Sequence, residues 1–384
     1  MRANGVEEQF PRPRVAEFFA GIGLVRKGVE AAGFEVVFAN DIEPVKRQLY
    51  GDNFALADFR LGDVTDPGVV TGDAIPDIEA ATASFPCTDL SLAGNRAGLR
   101  GSQSGAFWGF IRVLREMGPR RPLAVMLENV PSLATSHGGR DLAAVVDALN
   151  GLGYACDILV IDARWFVPQS RPRMFIVGSQ DRLTTPSFWG ASPIRPPWIE
   201  RFVLAHPQLD LQAAALRPPL QKLVDLSSCI EPVAADDPRW WDERRLNSFT
   251  SSLSVLQFAR LSQLQAGETL RWATAYRRTR AGVATWEIRS DNISGCLRTA
   301  RGGSSKQAVV EAGAGAVRVR WMTAREYAAL QGAPDFAIES VSENQALFGL
   351  GDAVCVPAVE WLAREYLRPL VEGRLTGRAA LAYA

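Results

Sequence analysis

The sequence predicts an α/β fold in which a doubly wound, mostly parallel sheet carries a second, smaller and irregular domain. Short apolar stretches alternate with helical stretches up to about residue 180, and this alternation is typical of parallel strands connected by helices. A glycine-rich turn follows the first apolar stretch, as in nucleotide-binding βα units. Beyond this region the pattern changes to a proline-rich stretch with several tryptophans, which indicates a domain boundary.

Length, charge and cysteine content restrict the class of protein. The chain has 384 residues, enough for two domains, and its 42 basic and 42 acidic residues exclude a uniformly basic surface. The five cysteines lack CxxC spacing and there are only two histidines, so we predict neither a disulfide framework nor a metal centre. We see no apolar signal core and no run of about 18 apolar residues, and therefore expect a cytoplasmic protein.

The first three strands end in residues that suit a nucleotide. The first strand leads into a turn containing Gly21 and Gly23, which lets the backbone approach a ligand, although an ordinary tight βα turn has the same sequence. Asp41 ends the second strand, 20 residues after Gly21, where a carboxylate suits a ribose diol or caps the next helix. Asp63 follows a short extended stretch and either accepts a hydrogen bond from an adenine amine or caps a turn.

A cysteine follows a proline where the fourth apolar strand ends. Proline cannot continue a strand ladder, so the thiol of Cys87 is predicted at the carboxyl edge of the sheet, where open α/β sheets bind ligands. Such a thiol can be a nucleophile, whereas most single cysteines are small buried side chains. The loop over 94–105 is long and rich in Gly, Ser, Asn and Arg, which favours a functional or mobile segment.

Charged residues mark two further strand ends. A buried-type strand over 123–127 is followed by Glu128, which repeats the geometry predicted at Cys87. Arg171 and Arg173 precede the strand over 174–178, and their spacing lets them point to one face of an extended chain. The alternative for this pair is a solvated edge strand.

The second half of the chain contains a basic segment. Residues 271–325 carry 11 basic residues against three acidic ones. Within this segment, 296–307 combines Arg, Gly, Ser and Gln, which can bind phosphates and read bases or can form a solvated basic loop. The helix after residue 351 has an apolar face and is expected to return to the first domain.

Six motifs occur together in one order along the chain. They are Phe19-x-Gly21-x-Gly23, Pro86-Cys87, Glu128-Asn129-Val130, Gln169-x-Arg171-x-Arg173, Arg325-Glu326 with Leu330-Gln331-Gly332, and Gly351-Asp352-Ala353-Val354. This ordered set resembles the DNA (cytosine-5) methyltransferases of bacterial restriction-modification or phage-defence type, over about 15–185 and 320–365. The resemblance implies a Rossmann-like methyltransferase sheet.

The resemblance also implies a division of the chain into four regions. A mobile lead-in over 1–13 precedes a catalytic and cofactor-binding domain over 14–188. A target-recognition domain is expected over 189–325. A return segment over 326–384 would complete the catalytic domain.

The implied reaction is methyl transfer from S-adenosylmethionine to C5 of a cytosine flipped out of duplex DNA, with S-adenosylhomocysteine as product. Cys87 would add to C6 as a thiolate, which turns the ring into an enamine. Glu128 would hold the N3 and N4 edge of the base from a desolvated pocket that raises its pKa. Arg173 would contact the cytosine O2, and Arg171 would lie beside the thiol and the target phosphate.

The implied binding residues fall into two groups. The cofactor residues are Phe19, Gly21, Ile22, Gly23 and Leu24 around the ligand, Asp41 at the ribose, Ile42, Asp63 and Val64 at the adenine, Pro86 against it, and Asp352 and Ala353 closing the site. The DNA-binding residues are Ser91 near the phosphates, and Arg298, Arg301, Ser304, Ser305, Lys306 and Gln307 in the basic segment.

Three positions depart from the family pattern, and none removes a reacting group. Thr88 stands where Gln is common, Ile42 where many members have a larger aromatic residue, and Asp352 where Asn is common. The partner implied is double-stranded DNA, bound by a monomer, with a cognate restriction or defence system as a further candidate and no membrane. A tRNA cytosine-5 methyltransferase and a non-catalytic DNA-binding relative are the alternatives; the long region over 190–320 favours DNA.

Overall fold

A seven-stranded sheet forms the larger part of the fold. The computed structural model describes residues 12–86, 105–185, 189–222, 224–280, 282–299 and 306–376. The strand order is β3-β2-β1-β4-β5-β7-β6. The strands are β1 (Arg14–Phe18), β2 (Glu35–Asp41), β3 (Phe59–Leu61), β4 (Ala80–Ala83), β5 (Ala124–Asn129), β6 (Ala155–Asp162) and β7 (Pro172–Ser179).

Most neighbours in this sheet are parallel, which confirms the predicted doubly wound α/β class. The exception is β7, which lies between β5 and β6 and is antiparallel to both. The sequence did not predict this reversal, because an apolar run indicates a strand but not its direction.

Helices cover both faces of the sheet. One face packs against α1 (Leu24–Ala31) and, among the later helices, α8 (Ala324–Leu330), α9 (Glu343–Asp352) and α10 (Val356–Leu362). The other face packs against α3 (Gly105–Glu116), α4 (Arg140–Asn150) and α5 (Pro197–Ala205). Of the two remaining helices of this part, α2 (Pro44–Asn53) follows β2, and α11 (Arg368–Val371) is the last helix of the described chain. The C-terminal helices therefore return to the first domain.

The return segment contains a long apolar helical stretch. Residues 343–371 are long and apolar enough in composition to cross a membrane, which the sequence analysis did not recognise. However, 67% of the most apolar window is buried inside the fold. Val359 and Leu362 of α10 are fully buried, and a Cβ placed on Gly28 of α1 would lie 2.8 Å from Val359. We therefore interpret this stretch as part of the core.

The stretch over 189–230 packs on the large sheet. Ile199 and Phe202 of α5 join the same apolar cluster as α3 and α4. A buried ion pair between Arg195 and Asp157, with 2.6 Å between nitrogen and oxygen, holds this stretch against β6. The proline-rich composition, which suggested a linker, did not indicate that this stretch covers a face of the large sheet.

The smaller domain is a four-stranded antiparallel sheet with order β11-β10-β8-β9. Its strands are β8 (Arg271–Arg280), β9 (Val283–Ile288), β10 (Gln307–Gly313) and β11 (Ala316–Trp321), and α6 (Glu243–Ser251) and α7 (Val255–Gln265) precede them. In its separate core, Trp241 and Trp286 pack against Phe249, and Trp321 packs against both tryptophans. The region expected to be irregular is therefore an ordered sheet.

The turn after β1 depends on left-handed backbone. Phe19, Gly21 and Gly23 have φ values of 57°, 58° and 92°. A Cβ placed on Gly23 would lie 2.6 Å from a ring carbon of Phe54, whereas no described atom outside the immediate neighbours lies within 4 Å of a Cβ on Gly21. Gly23 is thus required for packing, and Gly21 faces open space that a ligand can enter.

We expect Gly21→Ala and Gly23→Ala to differ in stability. Both place a Cβ on left-handed backbone, which costs about 1 kcal/mol. Gly23→Ala also forces Phe54 to move, which costs about 1–3 kcal/mol more. Urea denaturation of both variants measures the free energy of unfolding, and equal losses would show that the contact with Phe54 relaxes freely.

Candidate active site

Three strand ends meet at one edge of the large sheet. The side-chain amide of Asn129, at the end of β5, donates to the carbonyl oxygen of Phe85 at 3.1 Å, which ties the end of β5 to the corner after β4. Cys87 follows this corner and lies outside the described residues. Because β7 is antiparallel to β5, its first residues lie beside the last residues of β5. This register brings Arg173 next to Glu128.

Glu128 and Arg173 form a nearly buried ion pair. The Nε of Arg173 lies 3.0 Å from Oε1 of Glu128, and the two side chains are 14% and 12% exposed. Burial raises the pKa of Glu128, while Arg173, Arg171 and a hydrogen bond with Ser84 lower it by less, so the pKa stays above its ordinary value. A carboxyl whose pKa is raised in this way gives up its proton less readily than an exposed carboxyl does.

Arg171 occupies a position different from the one expected. Its side chain is 1% exposed, and it donates to the carbonyl oxygens of Leu297 at 2.6 Å, Gly351 at 3.0 Å and Ala353 at 2.5 Å. A guanidinium bound in this way is not accessible to a DNA phosphate, and it is not on a solvated edge strand. We therefore correct the expected phosphate contact to a structural role that joins β7, the basic segment and the return segment.

Gln169 completes the attachment of the basic segment. Its side-chain oxygen accepts a hydrogen bond from the backbone nitrogen of Leu297 at 3.3 Å, and its nitrogen donates to Leu330 at 2.7 Å. Because Arg171 also donates to the carbonyl oxygen of Leu297, both the backbone N–H and the carbonyl of Leu297 are hydrogen-bonded. The Gln-x-Arg-x-Arg motif thus fixes the segment over 296–299 beside Arg173.

The sequence analysis missed the thiol of Cys296. Its Sγ lies 3.4 Å from Arg171 and 3.9 Å from Arg173. Burial raises the pKa of Cys296, but the two guanidinium groups lower it by more, so the pKa is below its ordinary value. Burial raises the pKa of Cys156 and of Cys355 instead. The nearby arginine-rich composition was the available signal, because thiolates are stabilised by positive charge.

The other side of the edge has the features of a nucleotide site. The backbone nitrogen of Gly21 donates to Oδ2 of Asp41 at 2.8 Å, and Oδ1 accepts from the nitrogen of Glu43 at 2.9 Å. Asp41 therefore links the glycine turn to the start of α2, and each oxygen can still accept a ribose hydroxyl. The helix-capping alternative and the ribose role are compatible with this geometry.

Exposed side chains near the second and third strand ends suit an adenine ring. Ile42 is 56% exposed although it is large and apolar, and the exposed Asp63 accepts a hydrogen bond from Thr65 at 2.8 Å. Pro86 is exposed, and Phe19 and Ala353 are half-buried. Three other expected cofactor residues have buried side chains and can shape the site only from behind or through their backbone: Ile22, Leu24 and Val64.

The expected DNA-binding residues have different positions. Arg298 is exposed, and the ammonium group of Lys306 donates to the side-chain oxygen of Asn344 at 2.6 Å. Gln307 is 3% exposed and its amide bonds with Gly295, so we correct its expected role in base reading. Four expected residues lie outside the described ranges: Ser91, Arg301, Ser304 and Ser305.

The β8–β9 hairpin is a basic surface that the sequence analysis counted but did not recognise as strands. Arg277 and Arg278 are exposed near its tip, opposite Trp286 and Thr285 on β9. The guanidinium carbon of Arg278 lies 5.5 Å from the ring centre of Tyr276. A two-stranded ribbon with exposed arginines has dimensions that fit a major groove.

A second buried carboxyl lies under the glycine turn. Glu17 on β1 is 1% exposed, and its Oε1 accepts a hydrogen bond from the backbone nitrogen of Arg26 at 3.2 Å. Burial raises its pKa to about 8, against smaller opposing effects of Arg26. The sequence signal was a single carboxylate inside an apolar strand.

The raised pKa of Glu17 predicts a pH-dependent stability. Below about pH 4.5 the carboxyl is protonated in both states, and its contribution is lost as pH rises toward 8, because only the unfolded chain ionises freely. Glu17→Gln should therefore gain stability relative to wild type between about pH 5 and pH 8. Thermal unfolding over this range measures the difference, with exposed Glu35→Gln as control. Parallel curves for wild type and Glu17→Gln would contradict the prediction.

Comparison with solved structures agrees with this architecture. The Entamoeba histolytica methyltransferase EhMeth superposes with a TM-score of 0.63 at 13% identity, covering 95% of this chain and 99% of that one. The S. pombe Dnmt2 methyltransferase gives 0.58 at 18% identity, covering 94% and 99%. At these identities the similarity shows the shared methyltransferase fold alone.

Sequence comparison identifies the family. The type II methyltransferase M.HaeII of Haemophilus aegyptius is 34% identical over 171 residues, 44% of this chain and 51% of that protein, so the match spans about half of the relative. M1.ScrFI of Lactococcus lactis subsp. cremoris is 25% identical over 367 residues, 94% and 79% of the two chains. The sequence model of C-5 cytosine-specific DNA methylases matches residues 13–368. With the fold and the ordered motifs, this match shows that the chain belongs to the C-5 cytosine-specific DNA methylase family.

Proposed function

We propose that this chain transfers a methyl group from S-adenosylmethionine to C5 of a cytosine in double-stranded DNA. The observation that carries the proposal is the nearly buried Glu128–Arg173 pair, which lies beside the strand corner that leads to Cys87. Family membership supports the same reaction. The relatives named as type II methyltransferases support a role in marking one short DNA sequence, in restriction-modification or phage defence.

Nucleophilic addition solves the main chemical difficulty. C5 of cytosine is a weak nucleophile, and addition of the Cys87 thiolate at C6 converts the ring into an enamine. The cofactor supplies a methyl group bonded to a sulfonium, so the leaving group is a neutral thioether. After C5 gains the methyl group, its proton passes to a base in the solvent and the C5–H electron pair forms the C5–C6 double bond. The sulfur–C6 bond then breaks, which restores the aromatic ring and releases Cys87 as a thiolate.

Glu128 and Arg173 would stabilise the charge that this addition creates. Electron density moves into the ring as the thiolate adds, and a proton shared with N3 neutralises it. The raised pKa of Glu128 suits that donation. Arg173, held at 3.0 Å from Glu128, would contact the base oxygen.

The described residues also fit the cofactor. Gly21 opens to space that a ligand can enter, and Asp41 presents a carboxylate that can accept ribose hydroxyls. Exposed Ile42 would pack on the adenine ring, and Asp63 would accept its amine. Asp352 and Ala353, at the C-terminal end of α9, would close the site.

A cytosine in a duplex must leave the base stack to reach this edge. Arg298 and the β8–β9 hairpin supply exposed positive charge on the same chain, although the net charge of the whole protein is zero. Phosphate contacts from these arginines would hold the duplex while the base is extruded.

The reaction is tested by replacing the two groups assigned to the chemistry. Cys87→Ala should abolish methyl transfer, and Glu128→Gln should reduce the rate about 10²–10⁴-fold, because it loses the proton donor but keeps the shape. Bisulfite sequencing of unmethylated DNA after incubation with S-adenosylmethionine measures transfer and reveals the sequence context. Cys229→Ala, a buried cysteine of the 189–230 stretch, is the control.

Turnover by Cys87→Ala would overturn the covalent mechanism. Methyl incorporation into tRNA but not DNA would assign an RNA substrate instead. Absence of transfer to both, with DNA binding retained, would identify a binding protein.

The DNA-binding surface is tested through salt dependence. Arg298→Gln combined with Arg301→Gln should weaken duplex binding and reduce the slope of log affinity against log salt by about two, since each phosphate contact contributes about 0.9. Fluorescence anisotropy at several salt concentrations measures the slope. Arg364→Gln is the matched control, because Arg364 lies between α10 and α11 and donates to the carbonyl oxygen of Ala31. An unchanged slope would place the phosphate contacts elsewhere, with the β8–β9 hairpin next to be tested.

A further inference from the structure

The proposed reaction does not use the half-buried thiol of Cys296, although this thiol contacts both arginines of β7. Its Sγ lies 3.4 Å from Nη1 of Arg171, and 3.9 Å and 4.0 Å from the two Nη atoms of Arg173. Because little water separates these groups, a charge on the sulfur would interact directly with both guanidinium groups.

The backbone on both sides of this thiol is anchored. On the C-terminal side, the N–H and the carbonyl of Leu297 are both hydrogen-bonded to the Gln-x-Arg-x-Arg motif. On the N-terminal side, the buried side chain of Gln307 accepts from the N–H of Gly295 at 3.2 Å and donates to its carbonyl oxygen at 2.8 Å. The sulfur therefore cannot leave the two arginines unless some of these hydrogen bonds break.

Arg173 is contacted at two ends of its guanidinium. Its Nε lies 3.0 Å from Oε1 of Glu128, and its Nη atoms face the sulfur of Cys296. Arg171 is a second cation nearby, and its pKa is lowered, first by burial and then by the positive charge of Arg173. The two arginines thus repel each other, and a negatively charged sulfur in contact with both would offset that repulsion.

The surroundings of Cys296 favour such a charge. The titratable groups that interact with it in the described chain are Arg171 and Arg173 of β7, Arg298 of its own segment and Tyr327 of α8, while Glu128 of β5 contacts the same guanidinium as the sulfur. Burial raises the pKa of the thiol, and the three arginines lower it by more. Burial raises the pKa of Tyr327 to about 12, so this phenol stays neutral.

We propose that Cys296 is a positioning residue for methyl transfer, in which the negatively charged sulfur holds the Nη side of Arg173 while Glu128 holds Nε. The sulfur would act through Arg173 and not on the base. Without it, repulsion from Arg171 would displace Arg173 from the place where charge develops in the ring. This inference rests on the proposed function, which assigns Arg173 to the base.

Two substitutions separate a charged sulfur from a side chain that only fills space. Cys296→Ser keeps nearly the same shape but carries no charge at about pH 8, and Cys296→Ala also removes the polar atom. Both should lower the single-turnover rate of methyl transfer at saturating DNA about tenfold, because Arg173 is misplaced. The DNA concentration that gives half this rate should change by less than about twofold, because the lost interaction matters in the transition state. Cys229→Ser, in the 189–230 stretch, is the matched control.

A second measurement tests the contact between sulfur and arginine without methyl transfer. Iodoacetamide labels thiolates, and Cys296 is the one cysteine of the tryptic peptide over 290–298, so mass spectrometry can follow its labelling against pH. The midpoint should lie at lower pH in the folded wild type than in the urea-unfolded chain. In Arg173→Gln it should move to higher pH.

Each measurement can overturn the proposal. A wild-type rate in Cys296→Ser would show that shape suffices and that the charge of the sulfur has no role. A labelling midpoint that is the same in Arg173→Gln and wild type would show that the sulfur does not hold Arg173. If the wild type transfers no methyl group, the proposed function fails, and the labelling midpoint still decides whether Arg173 and the sulfur interact.

Discussion

The buried guanidinium of Arg171 holds the candidate site together. It bonds three backbone carbonyls from two distant parts of the chain, Leu297 in the basic segment and Gly351 and Ala353 in the return segment. A buried charge is costly unless its donors are satisfied. The two Nη atoms of Arg171 bond these carbonyls, whereas its Nε has no hydrogen-bond partner among the described residues. The geometry of these carbonyls is therefore tightly constrained, and with it the position of everything attached to them.

The antiparallel direction of β7 gives two arginines separate tasks. Because they are two residues apart, Arg171 and Arg173 point to the same side, yet only Arg173 reaches Glu128. Arg171 joins the segments that surround the pocket. A motif that looks like a pair of equivalent charges is thus one structural cation and one cation of the candidate active site.

Local patterns predicted the strands, the turn and the residues at the strand ends, including Glu128 and Asp41, because side-chain period and strand termination are local properties. They did not predict the burial of Arg171 and Gln307, since those depend on partners more than 100 residues away and in a loop 12 residues earlier. Within β8 to β11, the number of arginines hid the buried apolar positions between them. Composition therefore indicated a basic surface but not the sheet that presents it.

The pKa values of the two titratable groups beside Arg173 are shifted in opposite directions by the same surroundings. Burial dominates at Glu128 and raises its pKa, whereas the two guanidinium groups dominate at Cys296 and lower its pKa. Two guanidinium groups thus lie beside a carboxyl that ionises less readily than usual and a thiol that ionises more readily than usual. A pocket of this kind stabilises a ligand that gains electron density during the reaction. The proposed reaction creates such a ligand, because cytosine gains electron density when a thiolate adds to C6.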